Sequence, residues 1–368
     1  MGRALEIDAL SARRLMGGMA TEDLICERRG AAGFVVLNRP QALNAITPGM
    51  VDALEEALIA WANDDTIERV VICGAGERAF CAGGDIRLVH DLGKAGRFDE
   101  QRAFYAHEYR VNRMIARYAK PFVALLDGYV MGGGAGVSIH GSHRIASERM
   151  VFAMPEVGIG FFPDVGATAF LPRLPDAMGT YLGVTGARIT TGDAIALGIA
   201  QAHVPSAHFG ELKRALEGRG DTDAMIDAFA CEPPPAKLLA HRQLIREAFA
   251  AGDVATMLQV LGKAVEVGDD FARQTLALLR AKSPTSIAIG LRQLTRSPLT
   301  IEEALRLEYR LVSRVCRWPD FYEGIRAVII DKDQKPTWSP ARLEDVDMSR
   351  VEAAFAPLPD DLVFAGED

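Results

Sequence analysis

Cysteine is scarce in this sequence, and what there is does not pair by pattern. Cys26, Cys73, Cys81, Cys231 and Cys316 are scattered through 368 residues with no C-x-x-C among them. That argues against a disulfide framework and against a zinc site, and it suits a reducing, cytoplasmic compartment. No apolar run approaches the length of a membrane span, so no membrane partner is expected. Positive charge is not in excess: 41 Lys and Arg stand against 49 Asp and Glu, a net charge of -8, and this disfavours a general nucleic-acid binder. Internal repeats and low-complexity tracts are absent. So is G-x-S-x-G, and no glycine stretch fits G-x-G-x-x-G or G-x-x-x-x-G-K-[ST] in register. An elbow-type serine nucleophile and a nucleotide cradle therefore have no support. The first eighteen residues mix Arg with Glu and Asp and lack the apolar stretch of a signal peptide, and Met19 offers a second start.

What is present is a chain that is 49% apolar and long enough to exceed one ordinary core; a large domain with a smaller companion is expected. Residues 1–21 read as a loosely ordered lead-in. Short strands at Leu24–Glu27 and Gly33–Leu37 flank a turn and suggest a hairpin. Thr47 followed by Pro48 reads as an N-cap and first helical position, and apolar residues at helical spacing predict a helix over 48–62. Val70–Cys73 and Pro121–Leu126 are fully apolar runs closed by glycine, the pattern of buried parallel strands. Residues 99–117 read as helix, and a further helix is expected from Gly132 to about His140. Strand, loop and helix in this alternation define an α/β core over 22–232. Residues 164–200 read as mostly helical. Pro233–Pro235 marks a boundary, followed by a helical region over 236–330. There Thr300 and Glu303 form a capping-box pattern. Residues 331–368 read as a C-terminal strap.

Three features are candidates for chemistry. Glu156 and Asp164 stand eight residues apart, separated only by apolar residues, glycines and a proline. A carboxylate in such surroundings loses hydration and its pKa rises, as a general acid or base near neutral pH requires. Composition alone favours two turn acids in a buried loop over a catalytic pair. The second and third features are the glycine clusters Phe80–Arg87 and Gly128–Gly136. Glycine lets a backbone N–H approach a ligand closely, and two such N–H groups meeting at one oxygen form an oxyanion hole; a tight turn and close helix packing explain each cluster equally well in isolation. His140 and His143 lack further ligands and read as a packed or surface pair. Cys81 reads as packing, and Glu108 as a salt-bridged surface acid.

The clusters, taken together with Asn38-Arg39-Pro40, Ala42–Ala45 and Pro155-Glu156, resemble the crotonase (enoyl-CoA hydratase/isomerase) superfamily in order and spacing. Within it, Met154–Gly166, Tyr309-Arg310-Leu311 and Phe321–Gln334 with Trp338 and Pro340 are most similar to the superfamily's 3-hydroxyisobutyryl-CoA hydrolase group. The hydratases carry a glutamate two residues after the three-glycine cluster. This chain has Gly136 there, keeps Glu156 and adds Asp164.

The resemblance implies a spiral of ββα turns with a helical C-terminal region, and an acyl-CoA thioester as substrate. It places the thioester oxygen between the N–H groups of Gly84 and Gly133, makes Glu156 and Asp164 catalytic, and sets Glu108, Asp85, Ile86 and Arg87 against the substrate, with Glu108 beside the acyl group. It implies hydrolysis of a short 3-hydroxyacyl-CoA, with no metal and no cofactor beyond the coenzyme A of the substrate itself. A trimer or paired trimers is the family habit, and the long C-terminal region is expected to leave a monomer or dimer if it covers that surface.

Overall fold

The structure, a computed structural model, describes residues 22–366. The expected lead-in over 1–21 and the choice between Met1 and Met19 lie outside them. Ten strands follow in chain order: β1 (Leu24–Arg29), β2 (Ala32–Leu37), β3 (Arg69–Gly74), β4 (Ala79–Cys81), β5 (Phe122–Leu126), β6 (Tyr129–Met131), β7 (His143–Ala146), β8 (Val151–Ala153), β9 (Ile189–Thr190) and β10 (Ala202–His203). They form two sheets, in the orders β1-β2-β3-β5-β7-β10 and β4-β6-β8-β9. β1 and β2 pair antiparallel, as the hairpin reading expects, and β2, β3, β5, β7 and β10 run parallel. The strand pairs β3/β4, β5/β6 and β7/β8 each lay one strand in the large sheet and the next in the small one. A helical segment then returns the chain, which is the ββα spiral.

The apolar runs have a physical use in this arrangement. Successive side chains of a strand point to opposite faces, and both faces of the large sheet are covered. Val70 and Ile72 of β3 and Phe122, Ala124 and Leu126 of β5 enter the main core. Val71, Cys73, Val123 and Leu125 enter a second core on the other face, with Phe209, Leu212 and Leu216.

The helix Pro48–Ala62 forms as its sequence predicts: Thr47 Oγ1 accepts from the Met50 N–H at 3.3 Å, and Met50, Leu54, Ala57, Leu58 and Trp61 are buried. The helix after the three-glycine cluster is shorter than expected, Gly133–Gly136 only. Glycine is a poor helix former, and Ser138 Oγ donates back to the Gly134 carbonyl at 2.6 Å, a bond that competes with continued helix. The stretch 164–200 is broken into short pieces because Pro172 and Pro175 each open a 3-10 turn.

Beyond the Pro233–Pro235 stretch the chain is helical, as expected. The capping box is complete: Thr300 and Glu303 exchange bonds at the start of the helix Ile301–Val315. This helix packs on Phe98–Ala116, and Glu302 ties the two through Arg113 (3.1 Å) and Arg117 (2.8 Å). The helical region shares one continuous core with the sheets, and the strap closes it with Leu362 and Phe364.

Arg117 and Arg113, after burial is set against them, hold the Glu302 carboxyl down at about 2. Its folded pKa lies below its unfolded value, so its contribution is present above about pH 4.5 and is lost as pH falls toward 2. Glu302→Gln is expected to cost about 1–2 kcal/mol at pH 7. In urea melts the deficit should shrink steadily below pH 4; a constant deficit at all pH values would assign the loss to packing instead.

Candidate active site

The three parallel strands β4, β6 and β8 lie side by side in the small sheet, so the segments that follow them leave from neighbouring points. Those segments contain Gly84, Gly133 and Glu156. Three stretches separated by dozens of residues are thus brought to one place by strand pairing alone. They open onto a cavity of about 760 Å³ whose lining includes Gly84, Gly133, Glu108, Glu156, Asp164, Asp85, Ile86 and Arg87. All eight residues singled out from the sequence reach the same cavity.

The two N–H groups proposed for an oxyanion sit close together. The Gly84 nitrogen is 3.1 Å from the point where a Cβ on Gly133 would stand. Gly133 is the first residue of its short helix, where an N–H has no intrahelical partner, and neither nitrogen donates to another described residue. Two glycines nearby are dictated by space and conformation. A Cβ at Gly134 would stand 2.4 Å from the Cys81 carbonyl oxygen, and Gly132 has φ +48° with its Cβ position 2.9 Å from Glu156 Oε1.

Three carboxyl groups share the cavity. Glu108, Glu156 and Asp164 are 4%, 6% and 5% exposed, and none has a cation partner. The surface salt bridge expected for Glu108 is therefore not found: helix Phe98–Ala116 turns this residue inward, and one of its oxygens has no partner. Burial raises all three, and the charge of Asp164 raises the other two further. Asp164 is pushed up to about 7, Glu108 to about 8, and Glu156 well above its ordinary value. Tyr109 OH donates to Asp164 Oδ2 at 2.9 Å, which offsets part of the rise. One Glu156 oxygen is buried with no partner among the described residues.

The remaining lining is apolar and cationic. Phe104, Tyr105 and Phe161 form one wall, with Tyr105 and Phe161 stacked at 5.8 Å. Exposed Arg87 and Arg188 and half-buried Lys282 also line the cavity, so it runs from cations near solvent to buried carboxyls. Arg87 donates to the Ile329 carbonyl at 3.2 Å, drawing the C-terminal segment Val328–Pro336 against the opening. Asp85 is engaged by Arg39 at 3.3 Å. It supports the loop rather than standing free.

Sequence reasoning missed Tyr109, Arg188, Lys282 and the aromatic wall. Only Tyr109 had a signal, its place one residue after Glu108. The histidines separate, as a packed and a surface residue would. His140 donates to the Val165 carbonyl and His143 faces Asp223. Cys81 is buried, and burial pushes its thiol up to about 12. Among the described residues, no cluster of His, Cys, Asp and Glu could hold a metal ion, and no helix is long and apolar enough to cross a membrane.

Gly136, where the resemblance sets the hydratases' first glutamate, is closely packed. A Cβ there would lie 2.8 Å from Val165 Cβ and 2.9 Å from Asn112 Nδ2. Val165 itself has φ +54°, rare for a β-branched residue.

Known proteins resemble this chain along nearly its whole length. It is 39% identical to the mitochondrial 3-hydroxyisobutyryl-CoA hydrolase of Danio rerio, covering 94% of this chain and 92% of that protein. Against the enzyme of the same name from Homo sapiens it is 38% identical, with 92% and 90% covered. Among solved structures, a carnitinyl-CoA dehydratase from Mycobacterium thermoresistibile superposes with a TM-score of 0.88 at 39% identity, covering 94% of this chain and all of that one. An enoyl-CoA hydratase from Rhodobacter sphaeroides 2.4.1 gives 0.87 at 41%, covering 93% of this chain and again all of the other. The sequence profile of the enoyl-CoA hydratase/isomerase family matches residues 32–355, and the chain belongs to that family.

Proposed function

We propose that the protein hydrolyses a short 3-hydroxyacyl-CoA thioester, 3-hydroxyisobutyryl-CoA, to 3-hydroxyisobutyrate and CoA, a step of valine breakdown. Relatives named as hydrolases and structures named as a dehydratase and a hydratase are equally similar to this chain, so identity alone does not select the reaction. The hydrolase reading is supported by Glu156 and Asp164 lining one cavity while a Cβ at position 136 would meet Val165. Adding water across a double bond needs two placed acid/base groups, and the hydratases' first glutamate has no room here. Cleaving a thioester needs a polarised carbonyl and one base or nucleophile.

In this reading the thioester oxygen lies between the N–H groups of Gly84 and Gly133. Each donor is worth about 3 kcal/mol to the developing oxyanion. Glu156, once ionised, either attacks the carbonyl carbon to give a mixed anhydride or takes a proton from an attacking water. In either route the tetrahedral intermediate expels the thiolate as the C–S bond breaks; where this leaves a mixed anhydride, water then hydrolyses it, freeing the acid and restoring Glu156. Asp164 governs when Glu156 can ionise: its charge raises Glu156, so protonating Asp164 makes the Glu156 anion less costly. Arg87, Arg188 and Lys282 supply positive charge for the CoA phosphates, and Glu108 meets the acyl hydroxyl. The compartment proposed is the cytoplasm, from five free cysteines; the vertebrate relatives are named as mitochondrial.

The test is thiol release from (S)-3-hydroxyisobutyryl-CoA beside crotonyl-CoA with its double bond monitored. Rapid thiol release with crotonyl-CoA untouched is expected. Loss of the double bond without thiol release would make the protein a hydratase, and binding without either reaction would make it an acyl-CoA-binding protein.

A further inference from the structure

The Asp164 loop is held from outside, residue by residue. Gln293 Nε2 donates to the Pro163 carbonyl at 2.6 Å, Tyr109 OH to Asp164 at 2.9 Å, and His140 Nε2 to the Val165 carbonyl at 2.7 Å. The next two bonds come from a single side chain. The Gly166 N–H donates to Glu308 Oε2 at 2.7 Å, and the Thr168 N–H and hydroxyl donate to Glu308 Oε1 at 2.9 and 2.7 Å. Glu308 is fully buried and has no cation partner among the described residues. It belongs to the helix Ile301–Val315, far from the loop in sequence.

A buried carboxylate without a cation is costly, and here its ionised form is supported by three loop donors that would otherwise be buried without an acceptor. All three of its bonds are received, so both oxygens act as acceptors, the pattern of the ionised form. Its chain partner Val165, between the clamped Gly166 and Asp164, is in the left-handed region, a conformation that persists only where neighbours impose it. The clamp therefore fixes the direction in which the Asp164 carboxyl leaves the backbone.

We propose that Glu308 is a positioning residue for the reaction: it holds Gly166 and Thr168 and so places the Asp164 carboxyl in the cavity. The titratable groups that face Glu308 are Asp164, whose charge acts on it, and Tyr109, which feels the charge of both. No Lys or Arg side chain bonds to it. Burial, followed by Asp164, raises Glu308 to about 8 against the bonds from Thr168 and Gly166, consistent with two acids competing for ionisation. The inference builds on the hydrolase reading for the choice of substrate only.

The experiment measures kcat, KM and the pH–rate profile of Glu308→Gln and Thr168→Val beside the wild type. An amide at 308 faces one loop N–H with its own NH2, so the loop shifts. A displacement of a catalytic group by about 1 Å costs up to about a hundredfold. Glu308→Gln should lose roughly ten- to a hundredfold in kcat, with KM changed less than about threefold. The limb of the profile due to Asp164 should move, because its burial and its bond from Tyr109 OH change when the loop shifts. Thr168→Val removes one of the three bonds to Glu308, together with the acceptor that Gln293 Nε2 uses at 2.7 Å, with little change in volume, and should lose kcat severalfold at constant KM. Should Glu308→Gln fail to fold, Thr168→Val provides the same readouts. Unchanged kcat and an unchanged limb in the folded variants would overturn the proposal. So would kcat, KM and melting temperature falling together with the limb in place, which is what a purely structural acid would give. Wild-type thiol release tests the proposed function separately. If the wild type turned over another acyl-CoA, the same variant-to-wild-type ratios would apply to that reaction.

Discussion

Glu156→Gln is expected to lower turnover at least about a hundredfold, the lower end for a general acid–base group, while KM stays within a few-fold. The amide is nearly isosteric and leaves intact the Gly84 and Gly133 N–H groups and the cations that line the cavity, so substrate should still bind. It can neither attack a carbonyl nor accept a proton. The partnerless buried oxygen of Glu156 makes the case specific, because a carboxyl retained for structure would be bonded. The change should also not destabilise the protein. Burial raises Glu156, so the folded state holds a proton that the unfolded chain releases above about pH 4.3. Wild-type stability therefore falls as pH rises from there, and the Gln variant should be at least as stable at pH 8. Thiol-release kinetics and a melt at two pH values check both halves. A folded variant that still hydrolyses near the wild-type rate would remove Glu156 from the chemistry.

Much of this site was legible before the structure because its backbone parts lie in short contiguous motifs. The Gly84 and Gly133 loops and the Met154–Gly166 stretch each announce a close approach or a desolvated acid. Helices with strong local signals were equally legible. Thr47-Pro48 and the Thr300–Glu303 box are bonded as their patterns require. What could not be read is whatever depends on distant segments. The small-sheet strands β4, β6 and β8, three residues each, are too short to show a period, yet their pairing gathers the site. The inward turn of Glu108 follows from how its helix packs on Pro48–Ala62 and on Ile301–Val315, not from its immediate neighbours. The clamp on the Asp164 loop draws on Tyr109, His140, Gln293 and Glu308, at sequence separations of 55, 25, 130 and 142. A polar residue in each of those segments looks, in sequence, like any other.

Asp164→Asn makes the second strong prediction, and its interest is that three readouts should move in stated directions. Asp164 is the electrostatic centre of the site. After burial, its charge raises Glu108, Glu156 and Glu308, and it acts on Tyr105, Tyr109 and Cys316 as well. The amide keeps an acceptor for Tyr109 OH, so the fold should persist. Turnover should fall by roughly ten- to a hundredfold, because one of the two acid–base groups of the proposed site is gone. Removing its charge should lower the pKa of Glu156, so the remaining activity should rise at a lower pH than in the wild type. Stability should move the other way from activity. Asp164 titrates at about 7 in the folded protein against about 3.9 when unfolded. Wild-type stability therefore declines between those values as the unfolded chain releases a proton the native site retains. The variant lacks this slope and should gain on the order of 1–2 kcal/mol at pH 8, with no gain near pH 4. A normal rate with no change in the profile would return Asp164 to the role of a buried turn acid. A lost rate with an unmoved Glu156 limb would keep Asp164 in the chemistry and discard the shared-charge account of the pair.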